Sequence, residues 1–448
     1  MKSFRSWGVL GLLVAALPLG EAQAQLGDSP EVQRGITVVN RQRPDYDPLG
    51  VRLGGFTLNG GIEAGPGWDS NLFGRRSNVV SDGFAEERGN LNLRSNWTNH
   101  AVGVSANSAN RQYFSQSQLD WNDWDIGGFG RYDFSADTAL LGQYRHYRSH
   151  LDVYSFDVQA TGIVQPVAYD SDEISVTGNT RFNRLGLIAQ GVYRTFDFEE
   201  RVIGTTPTPL LQDGFNVPQN GFNTARNSFN TVIGALGASY ALAPGRNITA
   251  VVRVQDIKYT SSGSDFQNTA FNSQSVFDNP QNRNSFTWEA LAGFDYDFDG
   301  VWQARLGLGW RHREYQGPIR PLEGPAVEAG LTYAPTQLTT VRFRLTRTIE
   351  ESIRQDSVSY QRTQAGLTLD HEYLRNVLLQ GDVLYDRREY ESPNQTASDM
   401  VFTLTARYLL NRNASVVASY GYRRRLEATG GFREFDRNLL QVRLRFAI

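Results

Sequence analysis

Leu440-Gln441-Val442-Arg443-Leu444-Arg445-Phe446-Ala447-Ile448 alternates apolar and polar residues and closes the sequence. An extended chain sends every second side chain to the same face. Leu440, Val442, Leu444, Phe446 and Ile448 therefore share one side, and Gln441, Arg443 and Arg445 share the other. An apolar side for lipid and a charged side for a wet interior is the pattern of a membrane β-barrel strand, and the chain is expected to end on one. A soluble sheet ending in a strand would also alternate, so the rest of the chain has to decide between them.

The same alternation recurs upstream. Trp302, Ala304, Leu306, Leu308 and Trp310 are interleaved with Arg305, Gly307, Gly309 and Arg311. Phe402, Leu404, Ala406 and Tyr408 are interleaved with Thr403, Thr405 and Arg407. In both, the aliphatic centre carries aromatic residues at its ends, which suits a strand whose middle meets hydrocarbon and whose ends meet headgroups. From Val51 onward one unit repeats: an alternating segment, a short polar turn, a second segment and a longer irregular stretch. The short turns are expected near residues 98–100, 135–137, 182–184, 243–245, 297–300, 334–336, 374–376 and 411–413. The longer stretches include Glu199 to Asn227 and Ser261 to Asn284, polar and aperiodic, and read as extracellular loops. The expected fold is all-β, a transmembrane antiparallel up-and-down barrel of about 18 strands (16–18) with both termini periplasmic. A barrel of that size is too wide for its side chains to fill unless loops fold in.

The other end of the sequence sets the compartment. Lys2 and Arg5 precede the apolar run from Gly8 to Leu19, and Gly20-Glu21-Ala22-Gln23-Ala24 follows, the order of a secretory signal cleaved after Ala24. The run falls short of the roughly 20 residues a membrane-crossing helix needs. Residues 1–24 are accordingly expected to be a signal peptide, 25–50 a periplasmic extension and 51–448 the barrel. The extension is too short for a plug domain, so any obstruction of the bore is expected to come from the barrel's own loops. Mean hydropathy is −0.43, as a barrel with only one apolar face allows. With no cysteine, disulfides, thiolate metal sites and cysteine nucleophiles are excluded. The net charge of −3 argues against nucleic acid as a partner. Lys2 and Lys258 are the only lysines, so nearly every basic group is a guanidinium, planar and permanently charged.

Alternation also nominates the residues of the wet face: Arg305, Arg311, Arg313, Arg342, Arg344, Arg423, Arg443 and Arg445, interspersed with Glu289, Asp295, Glu328, Asp370 and Asp382. Guanidinium forks on such a wall could pass sugar hydroxyls or carboxylates along a channel by weak contacts. Equally, facing acids and bases could pair across strands and only stiffen the wall. Five histidines, His100, His146, His150, His312 and His371, are scattered without metal spacing, and no nucleophile elbow or phosphate-binding loop occurs. No catalytic residue, metal or cofactor is expected.

Two further stretches carry a resemblance. Asp45-Tyr46-Asp47-Pro48-Leu49-Gly50-Val51-Arg52-Leu53-Gly54-Gly55-Phe56-Thr57-Leu58, followed by Gly67-Trp68-Asp69-Ser70-Asn71-Leu72-Phe73, resembles the opening of the outer-membrane β-barrel porin family found in exopolysaccharide gene clusters of Gram-negative bacteria. That family has Ser at the position of Gly55 and usually Pro at that of Gly60. The resemblance implies an outer-membrane barrel working with polysaccharide synthesis or export, and it transfers no binding residues. For Asp69 and Asn71, a structural role at the end of the first strand and a contact with solute both remain open.

The leading expectation is thus a passive outer-membrane channel for an exopolysaccharide. Its expected partners are outer-membrane lipid, the barrel-assembly machinery, polysaccharide and periplasmic polysaccharide export proteins. A general diffusion porin is the first alternative, and a structural or adhesive barrel without transport is the second.

Overall fold

The computed structural model describes residues 37–38, 41–161, 163–200, 224–260, 282–297, 300–354, 357–391, 394–429 and 432–448. The signal peptide, the first part of the extension and most of the two longest polar stretches lie outside these residues. The strands are β1 (Val51–Leu53), β2 (Phe56–Asp69), β3 (Asp82–Ser95), β4 (Ala101–Tyr113), β5 (Trp121–Asp133), β6 (Thr138–Leu151), β7 (Val167–Phe182), β8 (Leu185–Phe198), β9 (Phe229–Ala243), β10 (Arg246–Tyr259), β11 (Ser285–Asp297), β12 (Trp302–Tyr315), β13 (Leu322–Thr336), β14 (Thr339–Glu351), β15 (Ser359–Leu374), β16 (Val377–Glu391), β17 (Asn394–Leu409), β18 (Ala414–Ala428) and β19 (Asp436–Ala447). One helix, α1 (Phe156–Thr161), lies between β6 and β7.

Each strand from β2 to β19 pairs antiparallel with the next, and β19 pairs back onto β2 from Leu439↔Asp69 to Ala447↔Gly61. The result is a closed 18-strand barrel, which leaves no unpaired edge to template aggregation. The extra strand β1 folds back on β2, Val51 opposite Leu58. It occupies the stretch of β2 that β19 does not reach, since Ile448 N–H donates to the Gly60 carbonyl at 2.9 Å.

The expected turns fall at one end, where the connections between β3 and β4, β5 and β6 and so on to β17 and β18 are short. One differs in place: residues 334–336 still belong to β13, and the chain reverses at Gln337-Leu338. The β13–β14 register slips between Tyr333 and Thr336, and Pro335, which has no N–H to give, sits inside that irregularity. The opposite end carries the longer connections, except that β16 and β17 are separated by residues 392–393 alone.

The outer surface is an apolar belt. On the terminal strand, Leu440, Val442, Leu444, Phe446 and Ile448 are 46–54% exposed, while Gln441 and Arg443 are 5% and 7% exposed. Around the belt, Ile126, Ile174, Leu236, Leu306 and Leu404 are exposed. Tyr132, Trp302 and Tyr408 rim it toward the short turns, and Trp124, Trp288 and Trp310 toward the longer loops. Exposed apolar surface on this scale needs a covering, and aromatic girdles about an aliphatic band are what a bilayer selects.

Candidate functional site

The register puts every nominated wet-face residue on the side opposite that belt. Arg305 faces Asp295, Arg311 faces Glu289, Asp370 faces Thr340, Asp382 faces Thr368, and Arg443 and Arg445 alternate with the exposed Val442 and Leu444. Most of these side chains are paired. Arg305 Nε lies 3.0 Å from Asp295, Arg342 Nη2 is 2.7 Å from Asp370, and Arg311 Nε is 2.6 Å from Glu289. Glu289 also accepts from Arg253 at 2.7 Å, and Arg253 bridges on to Glu328. Arg313 binds Glu351, Arg423 lies 3.7 Å from Asp399, and Glu63 takes both Arg443 (3.1 Å) and Arg445 (2.7 Å). Asp382 accepts from Thr368 and Gln380. Arg344 alone of the nominated arginines has no hydrogen bond or ion pair among the described residues.

These paired residues divide the enclosed space into two halves. Toward the longer loops the side chains are sealed: Arg313 is 0% and Arg362 1% exposed. Toward the short turns Arg342 and Arg344 meet open volume, Arg342 45% exposed.

The sealing element is the connection from β6 to β7, which turns inward. In α1, successive residues are 100° apart, so Phe156 and Val158 point to nearly opposite sides of the helix. Phe156 packs with Tyr360, Tyr390, Ala397 and Phe432, from β15 to the β18–β19 loop. Val158 joins Leu151, Val167, Tyr169, Phe196, Phe229 and Ile257, from β6 to β10. Val153 and Tyr154, just before the helix, pack with Leu72, Phe84, Tyr113 and Phe435. A single short segment therefore touches walls on opposite sides of the ring.

Polar contacts fix it in place. Asp157, wholly enclosed, accepts from Arg388 Nη1 (3.0 Å), Tyr390 Oη (2.8 Å) and Ser352 Oγ (2.8 Å). Gln159 donates to the Gly74 carbonyl (2.9 Å) and accepts from Arg433 N–H (3.1 Å) and Arg425. The Tyr154 carbonyl accepts from Arg425 (3.0 Å), and Arg437 stacks 4.0 Å from its ring centre. Burial pushes the Tyr154 hydroxyl well up. Burial would raise Asp152 too, but the hydrogen bond and charge of His150, with Arg437, hold it at about 2.

The tip of the β14–β15 hairpin completes the seal. β13 pairs with β14 only as far as Val327↔Arg347, whereas β14 and β15 stay paired to Glu351↔Ser359. Freed from β13, residues from Thr348 to Arg354 are buried throughout, with Ile353 in the Val158 cluster. At the other mouth the N-terminal segment enters: Val38 N–H donates to Thr340 Oγ1 (3.0 Å) and Arg43 binds Glu372 (2.8 Å).

Asp69 and Asn71 are structural. Asp69 is fully buried and takes Arg437 Nε at 2.9 Å across the β2–β19 seam. Ser70 exchanges hydrogen bonds with the Asn438 backbone, and Asn71 Nδ2 donates to the Asp436 carbonyl (2.8 Å). The aromatic-Asp-Ser-Asn stretch thus staples the seam that closes the barrel. Sequence reasoning missed Asp157, Arg362, Arg388 and Arg425. The strand arginines obey the alternation used for the others, but Asp157 sits in an aperiodic loop and no local signal marks it.

A family model described as "Putative beta-barrel porin 2" matches residues 43–448. The chain belongs to this family. Family membership and the closed, belted barrel make it an outer-membrane β-barrel protein. No curated protein matches it. Among solved structures, the ferric enterobactin receptor PfeA of Pseudomonas aeruginosa, in complex with BCV-L6, is 10% identical at TM-score 0.47, over 87% of this chain and 81% of that one. The outer membrane protein opdK of the same organism is 11% identical at TM-score 0.42, over 87% and 99%. The FrpB iron transporter of Neisseria meningitidis (F5-1 variant) is 10% identical at TM-score 0.43, over 82% and 61%. Among the described residues no group of three or more His, Asp or Glu side chains is placed to hold a metal ion.

Proposed function

We propose that this porin-family barrel is a gated outer-membrane channel of a Gram-negative bacterium, passing an acidic exopolysaccharide outward and resting shut at its long-loop end. One observation carries the reading: an exposed, guanidinium-bearing vestibule lies beneath a plug made of one short helix and one hairpin tip, held by apolar packing and by polar contacts to the wall. A segment that packs against opposite walls fits a route for a polymer, which needs a wide bore that stays closed when idle. Transport is passive, driven by synthesis or by a periplasmic export partner at the short-turn mouth, and insertion proceeds through the barrel-assembly machinery. The test is genetic and chemical: delete the gene and measure extracellular and periplasmic polysaccharide. The reading expects the polymer to be lost outside and to accumulate in the periplasm, with small-solute uptake unchanged. Normal secretion with impaired uptake of small solutes would replace it with the diffusion porin.

A further inference from the structure

The geometry points to Arg344 as an anion-binding residue of the open vestibule, taking a carboxylate of an acidic saccharide. The inference deepens the channel reading and rests on it for the class of solute. Neighbouring arginines of the same wall are committed, Arg305 to Asp295 and Arg342 to Asp370. Arg344 is exposed and makes no ion pair or hydrogen bond among the described residues. Its register explains why: its cross-strand neighbours are Gly330 on β13 and Gly366 on β15. Neither can offer a carboxylate, and neither covers the guanidinium. A Cβ on Gly330 would meet nothing within 4 Å, so there is open room beside the fork.

A second group of guanidinium side chains lies in the same half. Arg443 and Arg445 share Glu63, and Arg407, close to both, has no ion pair among the described residues. Across the ring, at similar remove from the short turns, β3 and β4 expose Asn90, Asn92 and Asn107. Amides both donate to and accept from hydroxyls, while a planar guanidinium takes a carboxylate through two parallel hydrogen bonds. An acidic saccharide several residues long would offer a carboxylate to the guanidinium wall and hydroxyls to the amide wall.

The experiment is calorimetric titration of the full chain in detergent with trigalacturonate, and with a neutral galactose trimer as comparison. The acidic trimer is expected to bind, more weakly as salt rises, and the neutral one to bind at least about tenfold more weakly, the size of one charge-assisted contact. Arg344→Gln should lose about tenfold, Arg344→Lys should keep part of the affinity, and Gly330→Leu should weaken binding with the charge intact. Arg375→Gln, on an exposed short turn, should change nothing. Equal binding of the two trimers, no binding of either, or an unaltered affinity in Arg344→Gln overturns the assignment. Binding needs no conduction, so a protein that binds the acidic trimer but stays silent in planar bilayers even with residues 153–161 replaced by a Gly-Ser linker would sink the channel reading and leave this site standing.

Discussion

Asp157 is marked by no local pattern, yet three donors converge on it, two from β16 and one from the β14–β15 hairpin tip. Removing one partner of a buried ion pair costs about 3–5 kcal/mol, because the other charge stays behind unpaired. Asp157→Asn should therefore loosen the plug while the strand ladder stays intact. Backbone amides of α1 should exchange with deuterium at least tenfold faster, and those of β2 to β19 should not change. Asp152 gives the pH dependence. Its value in the folded chain is lowered to about 2, so its contribution is complete above the usual carboxylate range and is lost as pH falls toward 2. The groups facing it are His150, Tyr154 and Arg437. Protease access to the plug should stay constant from pH 7 to about 4 and rise below that. Asp69 shows what sequence can leave open at this scale: the motif marked it, and only the fold shows that its partner is Arg437 on the last strand. Asp69→Ala should lower the temperature at which the barrel unfolds on heated gels by several degrees or more, whereas Arg76→Ala, exposed in the adjoining loop, should not.

At the scale of elements, strands were legible and the plug was not, for one physical reason. A strand with lipid on one side and water on the other must alternate, so periodicity records its two surroundings. This is why the final strand, the β12 segment and the positions of nearly all the short turns could be read directly. The inward helix has wall on every side, so it carries no periodicity, and its contacts join residues far apart in sequence. Phe156 and Val158 read as loop residues until both walls are in place. The hairpin tip is similar: Ile349 and Glu351 continue the β14 alternation but are buried because β13 has let go. The alternation itself has a direct check, made clean by the absence of cysteine. Leu444→Cys should be reached by a lipid-soluble quencher and Arg443→Cys should not; the reverse would invert the assignment of faces.

The whole molecule is a bilayer-spanning cylinder with an asymmetric interior: packed and ion-paired toward the longer loops, open and guanidinium-bearing toward the short turns. An 18-strand barrel is wide enough to conduct when empty, so the proposed function makes resting permeability depend on the plug and not on the wall. The most direct test is single-channel recording in planar bilayers, comparing the natural chain with a variant in which residues 153–161 are replaced by a Gly-Ser linker. The natural chain should be silent or open only in rare, brief events, and the variant should show large, steady steps. Equal, steady conductance from both would contradict the account.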